Sequence, residues 1–163
     1  MKKAVLVFIF ITIIVSANDR YVEYETYSPV FMSRENLENS VKFIQGSREM
    51  INTGKIYYRS PYIFVNERYK GVHIINNSVP ANPVHEGFIL APGCIDMAVK
   101  GNIIYIDNSV DLVSFDLSNK EVTKRIRNVF PEPLPPEDFI TYNYFNRPEG
   151  YILVEWKKRP YTN

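Results

Sequence analysis

Four aspartates in the middle of the chain are the first residues whose spacing could do chemistry: Asp96, Asp107, Asp111 and Asp116. Glycoside hydrolysis needs two carboxyl groups at a fixed separation, one acting as the acid and the other as the base or nucleophile. Acidic residues also end the strands of ordinary β-sheets, where their side chains stabilise turns. The turn interpretation is favoured, so the sequence predicts no catalytic residue.

The two histidines and the one cysteine are the other side chains that could react or bind a metal. His73 and His85 could be zinc ligands, but the sequence offers no third ligand beside them. Cys94, within APGCIDMAV, has the surroundings of a small buried residue, and one thiol makes neither an internal disulfide nor a metal cluster. The sequence shows no Ser-His-Asp order and no glycine-rich phosphate loop. We therefore predict no metal site and no cofactor.

The composition predicts a single strand-rich domain. The 163 residues include 19 basic and 18 acidic side chains, which argues against a nucleic-acid partner because such proteins carry a basic face. The 12 tyrosines and 10 phenylalanines favour strands. Four of the tyrosines could form a sugar-stacking platform, although they also suit strands for packing reasons alone: Tyr57, Tyr58, Tyr62 and Tyr69.

The N-terminus is typical of a secretory signal peptide, residues 1–17. Lys2 and Lys3 precede an apolar segment, Ala4–Val15, that is shorter than the roughly 20 residues needed to span a bilayer. The small residues that follow predict cleavage after Ala17. In a lipoprotein signal the lipid-bearing cysteine would stand at position 17, so alanine excludes a lipid anchor there. We expect an exported protein that is periplasmic, outer-membrane-associated or extracellular.

The middle of the chain is predicted to contain a strand repeat. SPYIFVNE (60–67) aligns with GNIIYIDN (101–108), and VHIINNS (72–78) aligns with LVSFDLS (112–118) about 40 residues later. A period near 40 residues is typical of a four-stranded propeller blade. We therefore predict two blade-like repeats, one at 54–98 and the other at 99–129.

The remaining segments are predicted to flank these repeats. Residues 18–53 form a lead-in with a short helix, Arg34–Phe43, for which Ser33 is the N-cap. Residues 130–149 are a proline-rich connection, and residues 150–163 are a terminal strand with a basic tail. Within the repeats, four residues are predicted to form Asx-type turns with a structural role: Asn76, Ser78, Asp116 and Ser118.

The stretch APGCIDMAVKGNIIYIDNSVDLVSFDLSN resembles the repeat of the LVIVD β-propeller proteins of Bacteroidetes cell envelopes. The residues that fit the pattern of that repeat are Gly93, Asp96, Ala98, Gly101, Asn102, Tyr105, Asp111, Leu112, Asp116 and Ser118. The resemblance covers roughly residues 27–156. It implies an all-β fold of two propeller-type blades, an incomplete propeller, after a short helical lead-in. It also implies an exported cell-envelope protein that binds or scaffolds without catalysis, and it carries over no catalytic residue.

Two other functions stay open at this point. One is a carbohydrate-active propeller enzyme whose site lies in blades beyond this sequence, since a closed propeller needs at least about four blades. The other is a truncated, non-functional fragment. The expected partner is an unknown protein or glycan of the cell envelope, and uncovered blade edges would favour self-association.

The signal peptide gives the first testable prediction. Exported protein should have an intact mass that corresponds to a chain beginning at Asn18, because the segment before it fits signal-peptidase cleavage. Mass spectrometry of the exported material measures this directly, and a mass that includes Met1 would contradict cleavage after Ala17.

Overall fold

A computed structural model describes residues 27–136 and 146–159, so the predicted signal peptide and its cleavage site at Ala17 lie outside the described residues. The described chain is all-β, with one short helix. Its elements are β1 Tyr27–Ser33, α1 Arg34–Glu38, β2 Lys42–Gln45, β3 Thr53–Arg59, β4 Tyr62–Glu67, β5 Gly71–Asn76, β6 Val84–Leu90, β7 Met97–Lys100, β8 Ile103–Asn108, β9 Asp111–Asp116, β10 Glu121–Ile126 and β11 Tyr151–Lys158.

The strands form three antiparallel sheets, and none of the three is closed. The first sheet has the order β2-β6-β5-β4-β3, the second has the order β10-β9-β8-β7, and β1 pairs with β11 in the third. In the first two sheets, consecutive strands are joined by short turns, as alternating apolar residues and turn signals predict. Strands β4 and β5 occupy the segments that align in sequence with β8 and β9.

The predicted helix Arg34–Phe43 is too long. Ser33 does cap it, since its hydroxyl accepts a hydrogen bond from the Asn36 amide at 3.3 Å, but the helix ends at Glu38. Lys42–Gln45 instead forms β2, which pairs with β6 at the edge of the first sheet. Pairing with a distant strand thus outweighs the local helix preference, and the predicted lead-in contributes strands to two of the sheets.

The larger of two apolar clusters in the described residues lies between the first two sheets. It contains buried side chains from both, together with the connection that joins them: Phe64, Val72, Ile74, Ile89, Ala91, Cys94, Met97, Ile104, Ile106, Val113 and Phe115. A smaller cluster packs the helix against the third sheet through Leu37, Val110, Ile152 and Val154. Because the larger cluster is shared, the first two sheets form one packed unit.

A buried ion-pair cluster fastens the helix to the second sheet. Arg34 Nη1 donates to both carboxylate oxygens of Asp111 at 2.8 Å, and Arg125 Nη1 donates to Oδ2 at 2.8 Å. The Asn128 amide adds a third donor at 3.1 Å. Burial raises the pKa of Asp111, but these hydrogen bonds outweigh it, so the pKa is lowered. Arg125 also donates to the backbone carbonyls of Leu37 and Glu38 at the end of the helix.

The Asp111 cluster predicts a large effect of a small substitution. Asp111→Asn should lower the free energy of unfolding by about 2–3 kcal/mol, because it leaves two arginines without their carboxylate. This stabilisation is present above the pKa of an unfolded aspartate and is lost as the pH falls through the lower folded pKa. Urea denaturation at pH 7 and pH 3 measures both effects.

The matched control is Asp116→Asn, the same substitution at an Asx turn. Asparagine forms this turn as well as aspartate does, as Asn76 shows. This control should unfold at nearly the wild-type urea concentration. Equal unfolding midpoints for the two variants at pH 7 would show that the cluster does not stabilise the fold.

Candidate functional site

A groove of about 640 Å³ lies between the second sheet and the segment that follows β10. Strands β7 and β8 supply one wall, and the described part of the proline-rich connection supplies the other. The residues that line it are Lys55, Tyr69, Ile95, Asp96, Met97, Ala98, Tyr105, Asp107, Ser109, Leu112, Phe130, Pro131, Glu132, Pro133 and Leu134. The connection is anchored by Trp156, whose Nε1 donates to the Pro133 carbonyl at 2.9 Å. The groove therefore has two walls that are both held in place.

Asp107 holds the start of β7 at the base of the groove. Its carboxylate accepts hydrogen bonds from the Ile95 amide at 2.9 and 3.0 Å and from the Asp96 amide at 2.9 Å. Burial raises the pKa of Asp107 and outweighs these hydrogen bonds, which lower it. Both oxygens are thus occupied by backbone donors, and Asp107 acts as a clamp on the loop before β7.

Asp96 and Lys55 form a charged pair at the groove. Lys55 Nζ lies 2.8 Å from Asp96 Oδ1, and the two side chains are 48% and 66% exposed. The Met97 amide also donates to Oδ1 at 2.7 Å. Burial raises the pKa of Asp96, but the bonds from Lys55 and Met97 outweigh it and the pKa is lowered. The groove therefore offers a charged carboxylate and a charged ammonium group to a ligand.

Aromatic rings supply the apolar part of the groove. Tyr105 lies on β8, Tyr69 lies in the β4–β5 turn with φ of 64°, and Phe130 is 38% exposed. Burial is the main cause that raises the pKa of Tyr69, so its phenol is neutral at physiological pH. The combination of aromatic rings with a few charged groups is common in small-molecule binding sites.

The four aspartates considered from the sequence lie in three places. Asp96 and Asp107 meet at the groove, whereas Asp111 is in the ion-pair cluster. Asp116 forms the turn after β9, where its Oδ1 accepts from the Ser118 amide at 2.8 Å. Asn76 makes the same turn after β5, accepting from the Ser78 amide at 2.9 Å.

The four tyrosines considered as a platform are separated by the fold. Tyr69 lines the groove, but Tyr62 lines a different cavity, of about 260 Å³, and Tyr57 packs against the shared core. Tyr58 is exposed on β3. Sequence reasoning missed Tyr105 and Phe130 as groove residues, because only the packing of the proline-rich connection against β8 brings them together.

The two histidines are in direct contact, which the sequence did not reveal. His73 Nδ1 lies 3.1 Å from His85 Nε2 on the neighbouring strand, and the buried carboxylate of Glu67 lies 3.4 Å from His73 Nε2. Over residues 27–136 and 146–159, no group of three histidine, cysteine, aspartate or glutamate side chains is arranged to hold a metal. The contact arises from a register shift between Ile74 and Ile75, which places Ile75 opposite His85.

Comparisons of the chain with family models, with curated proteins and with solved structures found no match. Within the part of the chain that the structure describes, no helix has the length and apolar character to cross a membrane. The function must therefore be argued from the residues themselves.

The clamp by Asp107 can be tested through the thiol beside it. Cys94 is fully buried, and burial raises its pKa, so it should react very slowly with a disulfide reagent such as DTNB in the native protein. Asp107→Asn should increase that rate severalfold, because an amide cannot accept from the donors at both oxygens and the loop opens more often, and because the lost carboxylate no longer raises the pKa of the thiol.

The control for this experiment is Asp96→Asn, the same change at the exposed rim. Its DTNB rate should stay close to that of the wild type. Equal rates for the two variants, in protein shown by circular dichroism to be folded, would mean that Asp107 does not hold the loop.

Proposed function

We propose that this protein is an exported binding protein of the bacterial cell envelope, built from propeller-type blades, that binds a glycan chain in the groove without catalysis there. Export is supported by the N-terminal sequence, and the envelope location by the resemblance to LVIVD-repeat proteins. The observation that carries the binding proposal is the groove itself, with its three aromatic rings and its Asp96–Lys55 pair.

The chemistry of the groove suits a sugar better than an apolar ligand. A pyranose ring has a C–H face that packs on an aromatic ring, and its hydroxyls donate to carboxylates and accept from ammonium groups. Tyr69, Tyr105 and Phe130 supply the aromatic surface, and the exposed pair Asp96 and Lys55 supplies an acceptor and a donor. The groove is open, so it would take one part of a longer chain.

The carboxylates of the groove support binding rather than hydrolysis. A glycosidase needs one carboxyl group that is free to protonate the leaving oxygen and another that is free to act on the sugar or on water. Asp107 uses both oxygens for the amides of Ile95 and Asp96, and Glu132 accepts from Arg147 through both of its oxygens. Neither side chain can leave its partners without loss of packing.

The arrangement of the first two sheets supports the propeller-type architecture. Each contains a four-stranded antiparallel meander, and β3 of the first contacts β7 of the second. In a propeller the blades pack face to face with their first strands nearest the axis. On this proposal the groove lies beside that axis, where β7 enters the second blade.

The glycan proposal predicts a specific loss on removal of one ring. Tyr105→Ala should weaken binding to the recognised polysaccharide about tenfold, because it removes a stacking surface worth about 1.4 kcal/mol. Affinity electrophoresis or calorimetry against a panel of purified envelope polysaccharides measures this.

The control is Tyr58→Ala, which removes an exposed tyrosine outside the groove and should leave the affinity unchanged. Release of reducing sugars that depends on Asp96 would contradict binding without hydrolysis in the groove. Absence of binding to every polysaccharide in the panel, or equal losses in the two variants, would contradict the glycan site.

A further inference from the structure

A chain of hydrogen-bonding side chains runs from the surface into the first sheet. Ser47 is exposed, and its Oγ lies 3.2 Å from His85 Nδ1. The opposite nitrogen of that ring, Nε2, lies 3.1 Å from His73 Nδ1, and His73 Nε2 lies 3.4 Å from Glu67 Oε2. His73 is completely buried. The chain therefore joins a surface hydroxyl to an interior carboxylate through two imidazoles.

A backbone donor fixes the direction of this chain. The Arg48 amide also points at His85 Nδ1, at 3.4 Å, and an amide can only donate. His85 Nδ1 is thus an acceptor, and Nε2 carries the proton that it donates to His73 Nδ1. His73 must then carry its own proton on Nε2, which faces Glu67. Every link consequently has one donor and one acceptor, and Ser47 can donate its hydroxyl proton at the surface end.

The buried end is built to hold a negative charge. Glu67 accepts hydrogen bonds from the Asn52 amide at 2.6 Å and from the Ile51 amide at 3.1 Å. Burial is the main cause that lowers the pKa of His73, so this ring is neutral at neutral pH. The guanidinium of Arg48 lies 4.8 Å from the centre of the Phe88 ring, on which His73 also packs at 4.7 Å, and so places a cation near the chain.

We propose that Ser47 is a nucleophile for acyl transfer, with His85 as its general base and with His73 and Glu67 as positioning residues. A nucleophile in reach of a base that is oriented by further groups is the arrangement that activates a serine. The site is separate from the groove, and this activity is additional to binding there. Because Ser47 is exposed, the expected substrate is a short-chain acyl ester presented at the surface, such as an O-acetyl group.

The reaction balances without any further reagent. As Ser47 Oγ bonds to the ester carbonyl carbon, its proton passes to His85 Nδ1. His85 is then an imidazolium, whose Nε2–H remains hydrogen-bonded to His73 Nδ1, while Glu67 accepts from His73 Nε2 and stabilises the positive charge through it. His85 gives the proton on Nδ1 to the leaving oxygen when the C–O bond breaks, so that the alcohol leaves protonated. Water repeats the sequence, which releases the carboxylic acid and restores Ser47.

The test uses the purified protein with p-nitrophenyl acetate and with a fluorophosphonate probe. The wild type should release p-nitrophenol with a burst that matches the amount of protein, and peptide mass spectrometry should find the probe on Ser47. Ser47→Ala should lower the rate at least about a hundredfold, the low end of what a positioned general base contributes. Ser78→Ala is the control, since it removes an exposed hydroxyl that bonds to an amide oxygen and not to a base.

Glu67→Gln tests the positioning role with a readout that a purely structural effect would not change. The wild-type rate should depend on pH, and this variant should shift that pH profile while circular dichroism stays unchanged, because an amide in place of the carboxylate no longer stabilises charge on the imidazoles. Equal rates in wild type and Ser47→Ala would overturn the proposal, since the imidazole alone would then explain the hydrolysis. Labelling at residues other than Ser47 would also overturn it.

Discussion

The structure depends on the six-residue connection 91–96 between the first two sheets, because it bonds to the β4–β5 turn of the first sheet and to Asp107 and Asn108 at the end of β8 in the second. The Ala91 amide donates to the Lys70 carbonyl at 2.9 Å, and the Gly93 amide donates to the Tyr69 carbonyl at 2.9 Å. The Tyr69 amide in turn donates to the Cys94 carbonyl at 2.7 Å. Backbone groups buried between sheets must find such partners. The connection therefore sets how one sheet lies against the next.

The same connection explains three backbone conformations with positive φ. Gly93 has φ of 82°, and a Cβ there would lie 2.7 Å from the backbone of Ser109, so only glycine fits. Tyr69 and Ser109 themselves adopt φ of 64° and 58°, which is uncommon for residues with side chains. Both residues lie in the turn between the second and third strands of their meanders and touch the connection. Their conformations are maintained because the surrounding hydrogen bonds leave no alternative.

The strands and turns could be read from the sequence, but the contacts between distant segments could not. Alternation of apolar residues and Asx turns, as at Asn76, are local patterns that need no partner. The helix ends at Glu38 because the next residues pair with a strand more than 40 residues away. Asp111 forms its ion pair with Arg34, which lies 77 positions earlier in the chain. Ser47 lies in the predicted lead-in, so no motif connects it with His85. The sequence therefore predicts the strands and turns, whereas the groove and the serine–histidine chain form only when distant strands pack together.

The first two sheets share one arrangement, a carboxylate that accepts hydrogen bonds from two successive backbone amides, and they differ in what else that carboxylate contacts. In each four-stranded meander, a carboxylate near the end of the second strand (β4 or β8) accepts hydrogen bonds from two successive amides just before the first strand (β3 or β7). Glu67 accepts from Ile51 and Asn52, and Asp107 accepts from Ile95 and Asp96. The glutamate is one methylene longer, and its Oε2 also reaches the imidazole of His73. Asp107 has the buried thiol of Cys94 as its side-chain partner instead of an imidazole, and it lines an open groove. The carboxylate that only holds the loop thus lies in the groove wall, whereas the one that also contacts a histidine can stabilise a positive charge on that ring.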